Sequence, residues 1–277
     1  MKGFPTIVGM DLRQLALHWL CVTNPAEKAQ GVMAVQPALV ACDESAVLVP
    51  TAAVPGRPDT PLLKPPQTMP QRSVHTERGL AALVHSIAHI EFNAINLALD
   101  AVWRFPDHPR AYYLDWWQVA QEEAKHFLML SAELNQLGQA YGDLDAHDGL
   151  WQMCEATSSD WLARMALVPR TLEARGLDAT PLIQAKLAKI GSPAAQRLIA
   201  VLDVILREEE GHVAIGNHWF RQACAQRGLE PESTYASLLR AHRAPRVKPP
   251  FNWHSRRRAG FSEAELQAWQ AADQALG

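Results

Sequence analysis

Cysteine is scarce in this 277-residue sequence, and its spacing excludes two common uses of the residue. The four cysteines are widely separated and form no C-x-x-C pair: Cys21, Cys42, Cys154 and Cys224. A structural zinc site or a disulfide framework requires cysteines that recur at short, regular spacings. The sequence therefore predicts neither, and we expect a reducing compartment.

Long apolar runs and a strong charge bias are also missing. No segment has the roughly 18 uninterrupted apolar residues that a membrane-spanning helix needs. The first residues contain one lysine and are broken by Asp11, so they lack the apolar centre of a secretion signal. A net charge of −3 and a pI near 6.4 indicate neither nucleic acid nor membrane as a partner of the whole chain. We therefore expect a cytoplasmic protein that does not bind membranes.

What the sequence does contain is a repeated pair of residue types on helical patterns. Glu123-Ala-Lys-His126 and Glu209-Glu-Gly-His212 both have the form Glu-x-x-His. In an α-helix, residues three apart lie on one face about 5–6 Å from each other. Each copy thus directs a carboxylate and an imidazole toward one point, and the sequence predicts that each is half of a metal site.

A further glutamate precedes each copy at the distance of about one helix, a turn and half of the next helix. Glu91 lies 32 residues before Glu123, and Glu173 lies 36 residues before Glu209. Two glutamates and two Glu-x-x-His pairs on four helices are the ligand set of ferritin-like di-iron and di-manganese bundles. The pattern predicts six metal ligands: Glu91, Glu123, His126, Glu173, Glu209 and His212.

Apolar periodicity and end signals predict the four helices of such a bundle. Helix A is expected over 76–104, helix B over 110–138, helix C from about 158 to 175 and helix D from 193 to 227. Pro169 lies inside helix C and should bend or loosen it one turn before Glu173. A short helix is predicted around 150–154, and another over 177–190 after a stop at Gly176.

Helical faces distinguish the ligands from neighbouring acids. Glu123 falls on the apolar side of helix B, whereas Glu122 groups with polar residues. The same argument selects Glu209 over Glu208 and Glu210. For two further sets of residues the sequence allows either a role beside the metals or packing in the core, and packing is preferred. These sets are His85 with His89, and the aromatic group Tyr112, Tyr113, Trp116 and Trp117.

The regions outside the four helices differ in character. Two short helices are predicted between residues 11 and 35, and seven prolines between 50 and 70 predict an extended strap. The C-terminal segment has no acidic residue between Glu232 and Glu263 but carries seven basic ones: Arg240, Arg243, Arg246, Lys248, Arg256, Arg257 and Arg258. Such a segment either binds phosphate or nucleic acid or balances the acidic remainder of the chain, and the second interpretation is preferred.

The donor set indicates which metals to expect. Four carboxylates and two imidazoles suit Fe(II) and Mn(II), and the absence of thiolates argues against structural zinc. The predicted cofactor is two divalent metal ions, iron first and manganese as the alternative. Such a pair can supply two electrons to O₂ for hydroxylation, desaturation or ferroxidation, and the spacing does not choose among these reactions.

Several longer motifs resemble an uncharacterised bacterial ferritin-like family, domain of unknown function 455. They are Pro55-Gly-Arg-Pro58, His85-Ser-Ile-Ala-His-Ile-Glu91, Asp115-Trp116 with Glu123-x-x-His126, His147-Asp-Gly-Leu-Trp151, Val168-Pro-Arg-x-x-Glu-Ala-Arg-Gly-Leu-Asp178 and Glu209-x-x-His-Val-Ala214. The resemblance covers about residues 10–240 and implies a ferritin-like bundle with two metals at the six positions. The ligand pattern alone is also distantly similar to ferritin-like tRNA hydroxylases.

Together these patterns predict an all-α, ferritin-like four-helix bundle with additions at both ends. The expected division is an N-terminal helical arm and strap over 1–72, the bundle over 73–228 and a basic extension over 229–277. The predicted function is O₂ activation by two metals to oxidise an organic substrate, either a small molecule or one linked to a nucleotide. A ferroxidase or metal-handling protein without an organic substrate is the second hypothesis, and an RNA-binding module using the basic extension is the third. The oligomeric state is left open.

Overall fold

A computed structural model describes residues 9–70, 72–245 and 247–274, and for residues 272–274 it describes the backbone only. Within these residues the fold is all-α, as predicted, and the only β-type pairing is a single parallel bridge between Leu63 and Ala146. Besides two single-turn 3-10 helices, Pro37–Leu39 and Pro66–Thr68, the helices are α1 Leu12–Cys21, α2 Pro25–Ala34, α3 Glu77–Arg104, α4 Arg110–Gln136, α5 Gly149–Ala156, α6 Trp161–Leu167, a π-helix Val168–Glu173, α7 Ala174–Ile190, α8 Pro193–Gln226, α9 Pro231–Ala241, α10 Trp253–Arg258 and α11 Glu263–Gln274.

The starts of α3 and α8 are set by capping residues that the sequence makes visible. Thr76 accepts a hydrogen bond from Gly79 N at 3.1 Å and starts α3. Ser192 accepts one from Ala195 N at 3.2 Å, and Pro193 occupies the first turn of α8. Side-chain oxygens at these positions satisfy backbone N–H groups that have no partner inside the helix. The predictions for helices A and D are confirmed to within two residues, and so is helix B, although α4 starts after Pro109 without a side-chain cap.

The third predicted helix differs from the expectation. It starts where predicted, because Asp160 accepts from Leu162 N at 3.0 Å and caps α6. The loosening expected at Pro169 takes the form of the π-helix. The predicted stop at Gly176 is wrong, since α7 runs through this residue and ends at Ile190, before Gly191, whose φ of +66° suits glycine. A Cβ at Gly176 would meet nothing within 4 Å, so no contact requires glycine there.

The chain forms two compact units, 1–151 and 152–277. In the first unit α3 packs against α4, α1 packs on α3, and α2 packs on α4. The loop 105–109 between α3 and α4 is short, so these two helices run in opposite directions. Their shared interface is the core of this unit.

The proline-rich strap belongs to the first unit and is held at several points. Gly56 N donates to Leu20 O at 2.8 Å, and the buried Lys28 Nζ donates to Gly56 O at 3.0 Å. Farther along, Ala146 N donates to Leu62 O at 3.0 Å beside the bridge. These bonds show that the strap is a packed part of the fold. The proline content of the sequence does not predict whether the strap is packed or mobile.

The second unit is built on α8. The π-helix, α6 and α7 pack against it, as do α9 and α10. Near its centre, Gly216 allows close approach, because a Cβ there would lie 2.5 Å from Pro169 Cβ. The C-terminal helices complete an apolar cluster in which Phe261 and Leu266 join Leu177 and Val213.

Among the described residues, no helix has the length and apolar character that crossing a membrane requires.

Candidate metal centre

Three predicted ligands meet at the interface of α3 and α4. Glu91 lies near the middle of α3, and Glu123 and His126 lie one turn apart on α4. Each offers a ligand atom within 4.8 Å of the others. All three side chains are buried, with exposures of 3% for Glu91 and 0% for the other two. The local cause is the apolar stripe that carries them, since packing α3 on α4 also buries whatever polar residues the stripe contains.

The imidazole of His126 joins the two carboxylates. Its Nδ1 lies 3.2 Å from Glu91 Oε2 and 3.3 Å from Glu123 Oε2. Burial raises the pKa of Glu91 well above its usual value, and the charge of Glu123 raises it further. Burial opposes protonation of His126, but its bonds to Glu123 and Glu91 outweigh burial and raise its pKa well above the usual value. The protein alone therefore balances this negative charge by holding protons.

The second unit contains the other Glu-x-x-His pair. Glu209 and His212 are both buried on α8, and His212 Nδ1 lies 3.8 Å from Glu209 Oε2. Glu173 lies at the C-terminal end of the π-helix and is the only one of the six predicted ligands that is half-buried. The first unit thus contains three of the predicted ligands and the second unit contains the other three, of which Glu173 lies at a change of helix type.

The acids next to the predicted ligands are less exposed than the face analysis predicts. Glu122 is half-buried and accepts a hydrogen bond from Gln118 Nε2 at 3.1 Å. Glu210 is also half-buried and pairs with Arg258 at 2.6 Å. Burial therefore separates Glu123 from Glu122, whereas Glu209 and Glu210 are covered almost equally, with side-chain exposures of 11% and 12%.

The two additional histidines of α3 have structural partners. His85 Nε2 accepts from Gly142 N at 3.0 Å, and His89 Nδ1 lies 2.8 Å from the Tyr141 hydroxyl. Both imidazoles stack on the ring of Tyr141. Burial lowers the pKa of His89 to about 4, so its ring is neutral near pH 7. These contacts bind the 141–147 loop to α3, which supports the packing role.

A cavity of about 280 Å³ lies between the strap and α3. Its apolar lining includes Phe92, the residue after Glu91, and Phe92 packs on Phe127, the residue after His126. The full lining is Arg57, Pro58, Asp59, Pro61, Leu62, Leu63, His89, Phe92 and Tyr141. Sequence reasoning missed this cavity, because it depends on how the strap folds back.

Arg57 stabilises the strap side of the cavity through an ion pair. Its guanidinium donates to both oxygens of Asp148, at 2.7 and 2.9 Å. The two residues come from the Pro55-Gly-Arg-Pro58 and His147-Asp-Gly-Leu-Trp151 motifs, which are far apart in the sequence. The ion pair therefore joins these two motifs in the folded chain.

The basic C-terminal segment is partly neutralised within the second unit. Arg256 is buried and pairs with Asp178 at 2.5 Å. Arg257 pairs with Glu263 at 2.7 Å, and Arg258 pairs with Glu210. Arg246 lies outside the described residues. Three of the seven basic side chains therefore have carboxylate partners, which supports the charge-balancing interpretation.

The predicted aromatic group on α4 is part of the core. Tyr112, Tyr113, Trp116 and Trp117 are all buried. The Tyr112 hydroxyl donates to Ala101 O at 3.2 Å, and that of Tyr113 donates to Phe105 O at 3.0 Å. Both bonds hold the start of α4 to the end of α3, so these residues serve packing.

Comparison with known proteins identifies relatives of unknown activity. Residues 21–267 match a family described as "Protein of unknown function (DUF455)". An uncharacterized protein of Haemophilus influenzae is 43% identical over 270 residues, which cover 93% of each chain. No solved structure matches the chain significantly.

Proposed function

Because the chain belongs to the DUF455 family, whose description assigns no activity, we propose a function from its own residues: oxidation of an organic substrate by O₂ at a two-metal carboxylate centre. The proposed ligands are Glu91, Glu123, His126, Glu173, Glu209 and His212. The proposed architecture is a ferritin-like bundle. Iron is the expected metal, and manganese is the alternative.

The observation that carries this proposal is the buried cluster of Glu91, Glu123 and His126. Two carboxylates and one imidazole share a site from which water is almost excluded. Burying like charges together is costly unless protons or a cation neutralise them. A divalent cation satisfies both carboxylates and leaves the imidazole neutral, so it replaces the protons that the isolated protein must hold.

The donor chemistry fits Fe(II) or Mn(II) in particular. Two oxygen donors and one nitrogen donor come from the long helices α3 and α4, and their ligand atoms lie within 4.8 Å of one another. The four cysteines are not part of this cluster. Oxygen-rich ligation with some nitrogen is typical of these two metals.

The duplication of the Glu-x-x-His pair supports two metals rather than one. Glu209 and His212 repeat on α8 the burial and spacing that Glu123 and His126 have on α4. With Glu173 as the counterpart of Glu91, each half-set has two carboxylates and one imidazole. Six protein ligands leave coordination positions open on two metals, and such a pair, when reduced, supplies the two electrons that O₂ activation requires.

The cavity beside Phe92 supports an organic substrate. Its lining is largely apolar, and its polar groups are few and fixed, as in most small-molecule sites. The Arg57–Asp148 pair holds the strap in place, and Tyr141 is held by His89. The residues of this chain would thus bind and orient a small molecule.

Metal analysis of the protein as isolated is the first test of the proposal. We expect about two iron or manganese atoms per chain, followed by O₂ consumption after anaerobic reduction. Protein that is fully folded but takes up no metal from Fe(II) or Mn(II) would contradict the proposal.

The ferroxidase alternative differs from the oxygenase proposal in how much Fe(II) is oxidised when no organic compound is present. It predicts that Fe(II) added in excess is oxidised over many turnovers without any organic compound, and that ferric product accumulates. The oxygenase proposal predicts that oxidation stops after the bound metal has reacted once. Stopped-flow absorbance with increasing Fe(II) per chain separates the two.

A further inference from the structure

The π-helix Val168–Glu173 carries one of the proposed ligands at its last residue. A π-helix contains wider turns than an α-helix, and single π-turns are frequent at functional sites. Because such a turn is intrinsically less stable than α-helix, its geometry depends on the groups that hold it. The position of Glu173 therefore depends on the contacts of the three residues Pro169, Arg170 and Thr171.

Arg170 is at the centre of these contacts and is only 1% exposed. Its guanidinium forms an ion pair with Glu265 of α11 and donates a hydrogen bond to Asn217 Oδ1 of α8. Three aromatic rings surround it, with centroids 4.9, 4.5 and 4.9 Å away: Phe220, Tyr235 and Phe261. A buried cation is tolerated only when it is paired and hydrogen-bonded, so these partners fix its position.

The residues on either side of Arg170 are held as well. Pro169 packs directly on the bare backbone of Gly216. The Thr171 hydroxyl lies 2.8 Å from Ala166 O and 2.9 Å from the Tyr235 hydroxyl. Three consecutive residues are thus attached to separate groups shortly before Glu173.

Asn217 connects this region to the C-terminal segment a second time. Its Nδ2 donates to Ala259 O at 2.7 Å, while its Oδ1 accepts from Arg170. The segment that supplies Glu265 and Ala259 is therefore joined to the π-helix both directly and through α8.

We propose that the Arg170–Glu265 ion pair is a positioning device, by which the C-terminal segment sets the π-helix and hence the place of Glu173 as a metal ligand. This inference rests on the proposed two-metal function, because Glu173 is one of the six ligands. Arg170 and Glu265 act through Glu173 and do not bind the metal themselves.

The test is Glu265→Gln in the full-length chain, with Co(II) as the probe metal under anaerobic conditions. Bound cobalt is counted by elemental analysis, and its visible spectrum reports coordination. Changes in groups that orient a ligand typically lower metal affinity about 10–100-fold. We expect that loss for one of the two cobalt ions and less than about a twofold change for the other. Glu265→Asp, which keeps the charge, should recover most of the binding.

A matched control is available in the same unit. Arg256 is also buried, lies 4.9–5.1 Å from three aromatic centroids and pairs with a carboxylate, Asp178. Asp178→Asn removes the partner of a buried arginine that does not belong to the π-helix. This variant should bind both cobalt ions with the affinity of the wild type.

Hydrogen exchange in the metal-free protein measures the stability of the π-helix without any bound metal. Glu265→Gln should speed exchange at the amides of 168–174 and leave those of α4 unchanged. If Glu265→Gln does not fold, the second variant is Asn217→Ser, which removes the amide that accepts from Arg170 and donates to Ala259 O. It should weaken binding of the same cobalt ion to a smaller extent.

The outcomes separate this inference from the proposed function. Two cobalt ions bound by Glu265→Gln as tightly as by the wild type, or an equal loss in Asp178→Asn, would overturn the inference alone. A wild-type chain that binds no metal would overturn the proposed function and the inference together.

Discussion

At the residue scale, burial distinguishes acids that are adjacent in the sequence. Glu123 is fully buried beside His126, whereas Glu122 makes a surface hydrogen bond with Gln118. We predict that Glu123→Ala lowers metal affinity by at least about 100-fold, since a direct ligand should matter more than the residues that orient it. The fold should survive, because the change also removes a charge that opposes ionisation of Glu91. Circular dichroism and metal analysis of the purified variant check both parts.

Glu122→Ala is the matched control for this prediction. It removes the same functional group one residue away on the same helix. Metal content and O₂ consumption should equal those of the wild type. Equal metal loss in the two variants would show that the helix surface, and not the buried cluster, determines binding.

Lys28 gives a second prediction, which concerns pH. Its amine is buried and donates to Leu20 O, Gly56 O and Asn96 Oδ1, and burial lowers its pKa to about 7. In the unfolded chain the pKa is near 10.5, so between pH 7 and 10.5 the unfolded state binds more protons. The contribution of Lys28 to the free energy of unfolding should therefore rise with pH in this window, by at most about 1.4 kcal/mol per pH unit.

The measurement compares the wild type with Lys28→Met by urea unfolding at several pH values from 7 to 9.5. Other titrating groups are common to both proteins and cancel in the difference. The lost hydrogen bonds add an offset that does not vary with pH. A difference that stays constant or falls over this range would contradict the lowered pKa.

Residue identity on a periodic pattern was enough to select the buried acids, but it did not find the buried cations. Glu123 and Glu209 share a face with apolar neighbours, and that face is visible in the sequence. Arg170 is buried by Glu265 and three aromatic rings, of which only Phe220 lies on a helix whose packing was predicted. Its partner is 95 residues away, and no local pattern encodes such a contact.

At the scale of the element, two glycines of α8 have different environments. A Cβ at Gly216 would collide with Pro169, whereas one at Gly211 would meet nothing within 4 Å. Gly216→Ala should lower the free energy of unfolding by about 1–3 kcal/mol, the usual cost of overpacking. Gly211→Ala should raise it by about 0.5–1 kcal/mol, because alanine favours a helix interior.

Urea unfolding of the two variants measures these changes on one helix with one chemical substitution. Hydrogen exchange then shows whether Gly216→Ala disturbs 168–174, where Pro169 lies. Stability gains of equal size in both variants would mean that α8 and the π-helix are less closely packed than described.

Helix starts were predictable because their capping side chains act within a few residues, as Thr76 and Ser192 do. The continuation of α7 past Gly176 was not, since glycine is tolerated inside a helix when neighbouring turns are packed. Pro169 predicted a distortion of the helix. Whether the helix widens into a π-turn or ends there depends on the residues packed around Pro169, which the local sequence does not specify.

At the scale of the whole molecule, the C-terminal segment is part of the second unit and not a removable extension. Ending the chain after Pro245 would delete Ala259, Phe261 and Glu265 and leave Arg170 without its ion-pair partner. Removing one partner of a buried ion pair typically costs about 3–5 kcal/mol. We predict that this truncation lowers the midpoint of urea unfolding markedly and makes α7 and α8 sensitive to protease.

The control ends the chain after Gln274 and removes only the last three residues. It should unfold at the same urea concentration as the full chain. If the longer truncation also left the midpoint unchanged, the contacts of Arg170 with α11 would be irrelevant to stability.

The π-helix also has a consequence for how the gene can change. Each residue advances an α-helix by about 100°, so a π-turn absorbs roughly the rotation of one inserted residue. Loss of a single codon within 168–173 would therefore allow an ordinary α-helix to form, and the residues after the deletion would keep the helical face that they have now. Among relatives of this protein, a one-residue gap before the position of Glu173 should therefore coincide with an ordinary α-helix and with retention of the aligned glutamate.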